Sequence, residues 1–183
     1  MAKTPEINDV LDFWFDEIDP VFWFKKDTDF DAELTARFST SLAMAMGGRL
    51  DKWADNSDGC LALILLLDQF TRTIFRDQAR AFSGDDMALA LSLRCIERGY
   101  IDHPDMAHRQ FMLMPMMHSE DLTIQEKSLP LFKAHTSDGV YDFAVKHRDI
   151  IAQFDRFPHR NIILSRPSTD AELSFLTKPG SSF

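Results

Sequence analysis

The chain is predicted to be all-α, an array of about eight to nine helices packed as antiparallel pairs. Three observations predict this. Apolar residues recur at helical spacing in one stretch after another, and no strand-length alternation bounded by turns stands out. Glycine is scarce at 7, while Leu, Ala, Met and the 16 Phe are plentiful, which favours helices over a turn-rich β fold. Ser, Thr, Asp, Gly and Pro punctuate the apolar stripes where helices would start and stop.

The first helix is expected after Thr4, with Pro5 at its first position and Ile7, Val10, Leu11 and Trp14 on one stripe. A turn at Asp19-Pro20 leads into the aromatic plug Phe22-Trp23-Phe24. A second helix runs from about Asp29, striped by Phe30, Leu34, Phe38 and Leu42, and Gly47-Gly48 stop it. After a turn with Leu50 and Trp53, Ser57 caps the run Cys60–Leu67, whose all-round apolarity makes this helix central. Ser83-Gly84-Asp85-Asp86 reads as a capping box for a helix carrying Leu89, Leu93 and Ile96 that ends at Gly99. Pro104 opens the next helix and Pro115 breaks or kinks it.

Thr123-Ile124-Gln125-Glu126 reads as another capping box, with Pro130 as a disturbance inside its helix. Val140, Tyr141, Ala144, His147, Ile151 and Phe154 stripe a long helix, and Thr169-Asp170-Ala171-Glu172 caps a short last one. Residues 1–177 thus form a single all-helical domain, a length compatible with one core, and residues 178–183 form a flexible tail. No 34-residue self-similarity is evident.

A net charge of -9 argues against nucleic acid and anionic membranes as partners. The charge is uneven. Residues 1–99 hold 11 Lys/Arg against 18 Asp/Glu, residues 100–183 hold 9 against 11, and all six histidines lie in the second part. Titratable chemistry is therefore expected there. Cys60 and Cys95 sit in apolar patterns and read as buried free thiols, which points to the cytoplasm. The start of the chain lacks the apolar core of a signal peptide, and the longest apolar run is too short to span a bilayer.

Three constellations can carry chemistry. Asp68 and Arg72, one turn apart, form either a structural buried pair or an arginine aimed into a cleft with Asp68 orienting it. In Pro115-Met116-Met117-His118-Ser119-Glu120, His118 can serve as a general base with Glu120 holding its tautomer, or simply end a helix that Ser119 caps. The third runs from Phe154 to Arg166. Arg156, His159, Arg160, Asn161 and Arg166 lie there among aromatic and aliphatic residues, with no acid from Arg156 to Arg166. Arginine forks with His and Asn suit a carboxylate or phosphate, and they equally suit a structural network that bonds carbonyls and acids. Asn161 can cap the element that follows it.

Other matches fail. His147-Arg148-Asp149 copies a kinase triplet without a Gly-rich loop, and His118-x-Glu120 copies a zinc-deaminase start without Pro-Cys-x-x-Cys. There is neither His-Glu-x-x-His nor a Walker loop, and neither a metal nor another cofactor is expected.

Six motifs in order carry a resemblance. They are Phe13-Trp14-Phe15, Trp23-Phe24, Leu67-Asp68-Gln69-Phe70-Thr71-Arg72, Arg109-Gln110-Phe111, Pro115-Met116-Met117-His118-Ser119-Glu120 and Arg156-Phe157-Pro158-His159-Arg160-Asn161. Over roughly residues 7–176 the chain resembles the bacterial domain-of-unknown-function 924 family. The resemblance implies an all-helical fold similar to tetratricopeptide-type superhelical arrays, and no established activity. The chain departs from the family at Phe154-Asp155-Arg156, where Phe-Gly-Arg is frequent.

The expected function is a basic, His-containing pocket for a small anionic ligand or an acidic peptide end. Its binding residues would be Arg72, Arg109, Arg156, Arg160, Asn161 and Arg166. The alternative is a hydrolytic or acid–base enzyme using His118, Glu120 and His159. A second alternative is an interaction scaffold whose polar centre is structural. His118, Glu120, Arg156, His159, Arg160 and Asn161 are expected to meet in space.

Overall fold

The computed structural model describes residues 5–182, and among them there are helices and no strand. The first helix, α1 (Ile7–Asp12), starts after Glu6, whose extended backbone and reciprocal bonds with Asp9 make the N-cap. Pro5 therefore lies before the helix, and Thr4 lies outside the described residues. A π-helical turn, Phe13–Glu17, extends α1. Helix α2 (Thr28–Met46) begins where Asp27 accepts from the Asp29 and Phe30 N–H groups. It ends at Gly47-Gly48, with Gly48 at φ +70°, a region that costs glycine little.

Helix α3 (Ser57–Ile64) continues through a second π-helical turn, Leu65–Phe70, into α4 (Thr71–Ile74). Its cap is Asn56 rather than Ser57, because the Asn56 side chain takes the Gly59 N–H at 2.9 Å. Every residue from Gly59 to Thr71 is buried, as the all-round apolarity of the segment demands. Helix α3 packs on α1, α5 and α6. The Cys60 and Cys95 thiols, from α3 and α5, are free, fully buried and 3.2 Å apart.

Helix α5 (Asp85–Glu97) starts at Gly84 without a side-chain cap. The expected capping box is not formed. The Ser83 hydroxyl donates to the Arg80 carbonyl instead, and Asp85 turns to two arginines. Helix α6 (Met106–His118) is capped by Asp105 and runs unbroken through Pro115 to His118. The Ser92 hydroxyl donates to the Met112 carbonyl, next to the Phe111 carbonyl that a proline at 115 cannot serve.

Helix α7 (Leu122–His135) is capped by Asp121 rather than Thr123, and it contains Pro130 without breaking. Helix α8 (Asp138–Phe154) ends at Asp155 in the left-handed conformation, φ 55°. Helix α9 (Asp170–Leu176) carries the capping box of Thr169 and Glu172 read from the sequence.

Counting α3 to α4 as one rod, the described residues hold eight helical rods, and α5 to α8 pack each on the next. One large core joins α1 to α8, and a small second one joins Ile150, Ile151 and Phe157 to Leu122, Phe154 and Phe175. The aromatic motifs converge on Phe111, whose ring lies 5.0 Å from Trp23, 5.5 Å from Trp14 and 5.8 Å from Phe15. After α9 the chain turns back, and the Ser181 hydroxyl donates to the Leu176 carbonyl.

Candidate functional site

Four pieces of chain meet beside the core. The buried π-helical turn brings Asp68, and α4 brings Arg72. The start of α5 brings Asp85, and the end of α6 brings His118. A 3-10 turn, Pro158–Arg160, brings His159 and Arg160. Gly84 permits the approach of α5, because a Cβ there would lie 2.2 Å from the Leu67 carbonyl oxygen. The side chains that close this site also close the end of α6. Gln125 donates to the Met117 and Ser119 carbonyls, and Arg160 donates to the His118 carbonyl, serving acceptors that a helix end leaves without partners.

The centre is a compact charge lattice. Asp68 Oδ1 lies 2.7 Å from His118 Nδ1 and 2.9 Å from Arg72 Nη1. Arg72 also reaches both Asp85 oxygens, at 2.9 and 3.1 Å. Arg160 donates to Asp85 at 3.3 Å and lies over the rings of Phe82 and Phe157, at 4.6 and 4.5 Å. Two arginines therefore face two carboxylates, and the lattice is neutral while His118 is neutral. Arg160 is only 6% exposed, and among the described residues its buried Nε–H has no acceptor.

A second lattice lies outward. Glu120 accepts the Phe157 N–H at 2.8 Å and both terminal nitrogens of Arg166, at 2.7 and 3.0 Å. Arg166 Nε donates to Asn161, whose amide donates to Ser168. Arg156 grips Glu172 through two bonds and the Pro167 carbonyl through a third. These forks fix the segment 156–168 against α6 and α9.

Burial sets the protonation states. It would raise Asp68, but Arg72, then His118 and Gln69, hold its carboxyl well below the usual carboxylate range. Burial lowers His118 against the pull of Asp68, with Arg72 adding to the lowering. A neutral His118 beside a carboxylate donates from Nδ1, which leaves Nε2 unprotonated. Among the described residues Nε2 makes no hydrogen bond, and the side chain is 16% exposed. Burial lowers His147 to about 3, with His118 next in effect, and His159 to about 4, with Arg160 next. Burial and then Arg72 lower Arg160 to about 10.

The structure brings His118, Glu120, His159, Arg160, Asn161, Arg166 and Arg72 into one region. Three assignments need correction. Asp68, not Glu120, holds the His118 tautomer, because Glu120 is taken by Arg166 and the Phe157 N–H. The Asn161 side chain caps no element that follows it, since both ends of its amide are bound to side chains, and its backbone instead ends the Pro158–Arg160 turn. Arg109 stands apart and straps three carbonyls, those of His103, Pro104 and His135.

Arg156 lies at the outer edge with Glu172. Sequence reasoning missed Asp85, Phe82 and His147. In the sequence Asp85 reads as part of a cap, and no local spacing reveals a partner 75 residues away. His147 looked like one residue of an apolar stripe, yet its ring lies 6.2 Å from that of His118. Among the described residues no group of three or more His, Cys, Asp or Glu is placed to hold a metal ion.

Residues 10–180 match a bacterial family described as proteins of unknown function, DUF924. A solved structure of a protein of unknown function from Agrobacterium tumefaciens is similar throughout, with a TM-score of 0.88 at 36% sequence identity, covering 93% of this chain and 96% of that one. No curated protein matches. Among the described residues no helix is long and apolar enough to cross a membrane.

Proposed function

The chain belongs to the bacterial DUF924 family, and on that premise we propose that it binds the anionic end of a small molecule, or an acidic peptide end, at Arg160, Arg72, His118 and His159. One observation carries this reading. Arg160 is buried between two rings with an Nε–H that no described residue accepts, and a buried unmet donor costs about 1–3 kcal/mol. A carboxylate or phosphate oxygen meets that need, and Arg72 lies nearby with a side chain 22% exposed. Arg156, Asn161 and Arg166 act as a frame rather than as contacts, because their donors are committed to Glu172, Ser168 and Glu120.

The scaffold is a cytoplasmic, tetratricopeptide-like helical array in this reading, with no nucleic acid, membrane, metal or cofactor. The acid–base alternative gains from one observation, the oriented Asp68–His118 pair. Calorimetric titration with glutarate, inorganic phosphate and an acidic peptide tests the binding. Arg160→Lys keeps the charge and loses the fork, so it should weaken glutarate at least about tenfold with the fold retained. Equal affinity of the two proteins would remove Arg160 from the site.

A further inference from the structure

We propose that His118 is a general base, positioned by Asp68, that activates water against an acyl ester whose own carboxylate is held at Arg160. This inference rests on the anion-binding reading and adds a reaction to it. Its geometry is independent of any ligand. The Asp68 carboxylate is fully buried; its Oδ1 lies 2.7 Å from His118 Nδ1 and is shared with Arg72, while its Oδ2 accepts from Gln69. A carboxylate so placed selects the Nδ1–H tautomer and stabilises the imidazolium that forms when Nε2 takes a proton.

Nε2 makes no hydrogen bond to a described residue. The groups facing the ring are Asp68 and Arg72 from the π-helical turn and α4, His147 from α8, and His159 and Arg160 from the 3-10 turn, with Asp85 of α5 behind Arg72 and Arg160. No serine, threonine or cysteine among the described residues bonds the His118 ring, so the nucleophile is water.

The step balances. Nε2 takes a proton from water as the hydroxyl oxygen bonds to the acyl carbon, and the carbonyl becomes an oxyanion in the field of the Arg72 charge while Arg160 keeps the substrate's carboxylate. Collapse breaks the bond to the leaving oxygen, which receives the proton from Nε2. A carboxylic acid and an alcohol leave. A preorganised cation near the developing charge and a base in its unprotonated form make one self-consistent set.

The probe is the mono-(4-nitrophenyl) ester of glutaric acid, with 4-nitrophenyl acetate as the uncharged control. The protein should hydrolyse the glutarate ester faster than buffer and faster than the acetate. The rate should rise with pH to a plateau whose midpoint lies below the ordinary histidine value, because burial lowers His118. His118→Gln should lose about a hundredfold or more, and Asp68→Asn should lose rate while shifting the midpoint of the pH profile.

Should a variant fail to fold, carbethoxylation of wild-type His118 by diethyl pyrocarbonate should abolish hydrolysis, and hydroxylamine should restore it. Glutarate binding without hydrolysis of either ester overturns the base and leaves the binding reading standing. Full activity after modification of His118 also overturns the base. Absence of glutarate binding overturns the reading on which this one rests.

Discussion

Asp68 and His118 meet at 2.7 Å although 50 residues of chain separate them. The contact forms because the π-helical turn points a fully buried carboxylate at the last turn of α6, which runs through Pro115 instead of stopping there. Removing Asp68 leaves Arg72 short of an acceptor in a buried place. Asp68→Ala should therefore cost about 3–5 kcal/mol. For a chain of this size about 1 kcal/mol shifts Tm by about 2–4 °C, so the loss is measurable by thermal melting. A melt at the wild-type temperature would contradict a buried, committed Asp68.

Stability should fall on acidification well before carboxylates titrate. His147 and His159 have folded values lowered by burial to about 3 and about 4, against an ordinary value of about 6.5. Between these limits the unfolded chain binds protons that the folded chain refuses, so stability rises with pH there. It should be full above about pH 7 and drop from about pH 6.5 towards 4, by up to about 1.4 kcal/mol per pH unit for each histidine. Urea melts at stepped pH measure the slope, and a flat profile down to pH 4.5 would place both histidines in water.

Asp155 should be improvable. It holds φ 55° at the end of α8, where a side chain is strained. Asp155→Gly should raise stability by about 0.5–1 kcal/mol, since relief of strain exceeds the extra freedom of the unfolded glycine. Asp155→Val should lower it, and the two melts should fall on opposite sides of wild type.

Arg109 separates structure from binding. Its guanidinium bonds three carbonyls around the start of α6 and the end of α7. Arg109→Met should lower the melting temperature and leave glutarate affinity unchanged in the folded protein. Loss of affinity at full stability would return Arg109 to the site.

Much of this was legible in the sequence, and the failures have common physical causes. Helical periodicity reports burial, so the helices, the central position of Cys60–Leu67 and the pairing of Asp68 with Arg72 could be read directly. Caps were harder, because neighbouring polar residues compete for the same N–H groups. Asn56 outcompeted Ser57, Asp121 outcompeted Thr123, and Asp85 was diverted to Arg72 and Arg160. Pro115 reads as a break or kink and Pro130 as a disturbance, but the packing of α6 and α7 overrides one missing bond in each. That the polar motifs gather was foreseeable from a run of arginines without acids. Which acid meets which arginine was not, because Glu120 with Arg166 and Asp85 with Arg160 are tertiary pairings.

Histidine side-chain nitrogen NMR during titration with glutarate bears most directly on whether the polar centre receives an anion. Free protein should show His118 as the Nδ1–H tautomer with an unprotonated Nε2. Saturable shifts should then appear at His118 and His159, with His135, which lies at the end of α7, unmoved. Spectra that stay constant at millimolar glutarate, or that move only at His135, would contradict an anion site at Arg160 and leave the lattice as a brace between helices.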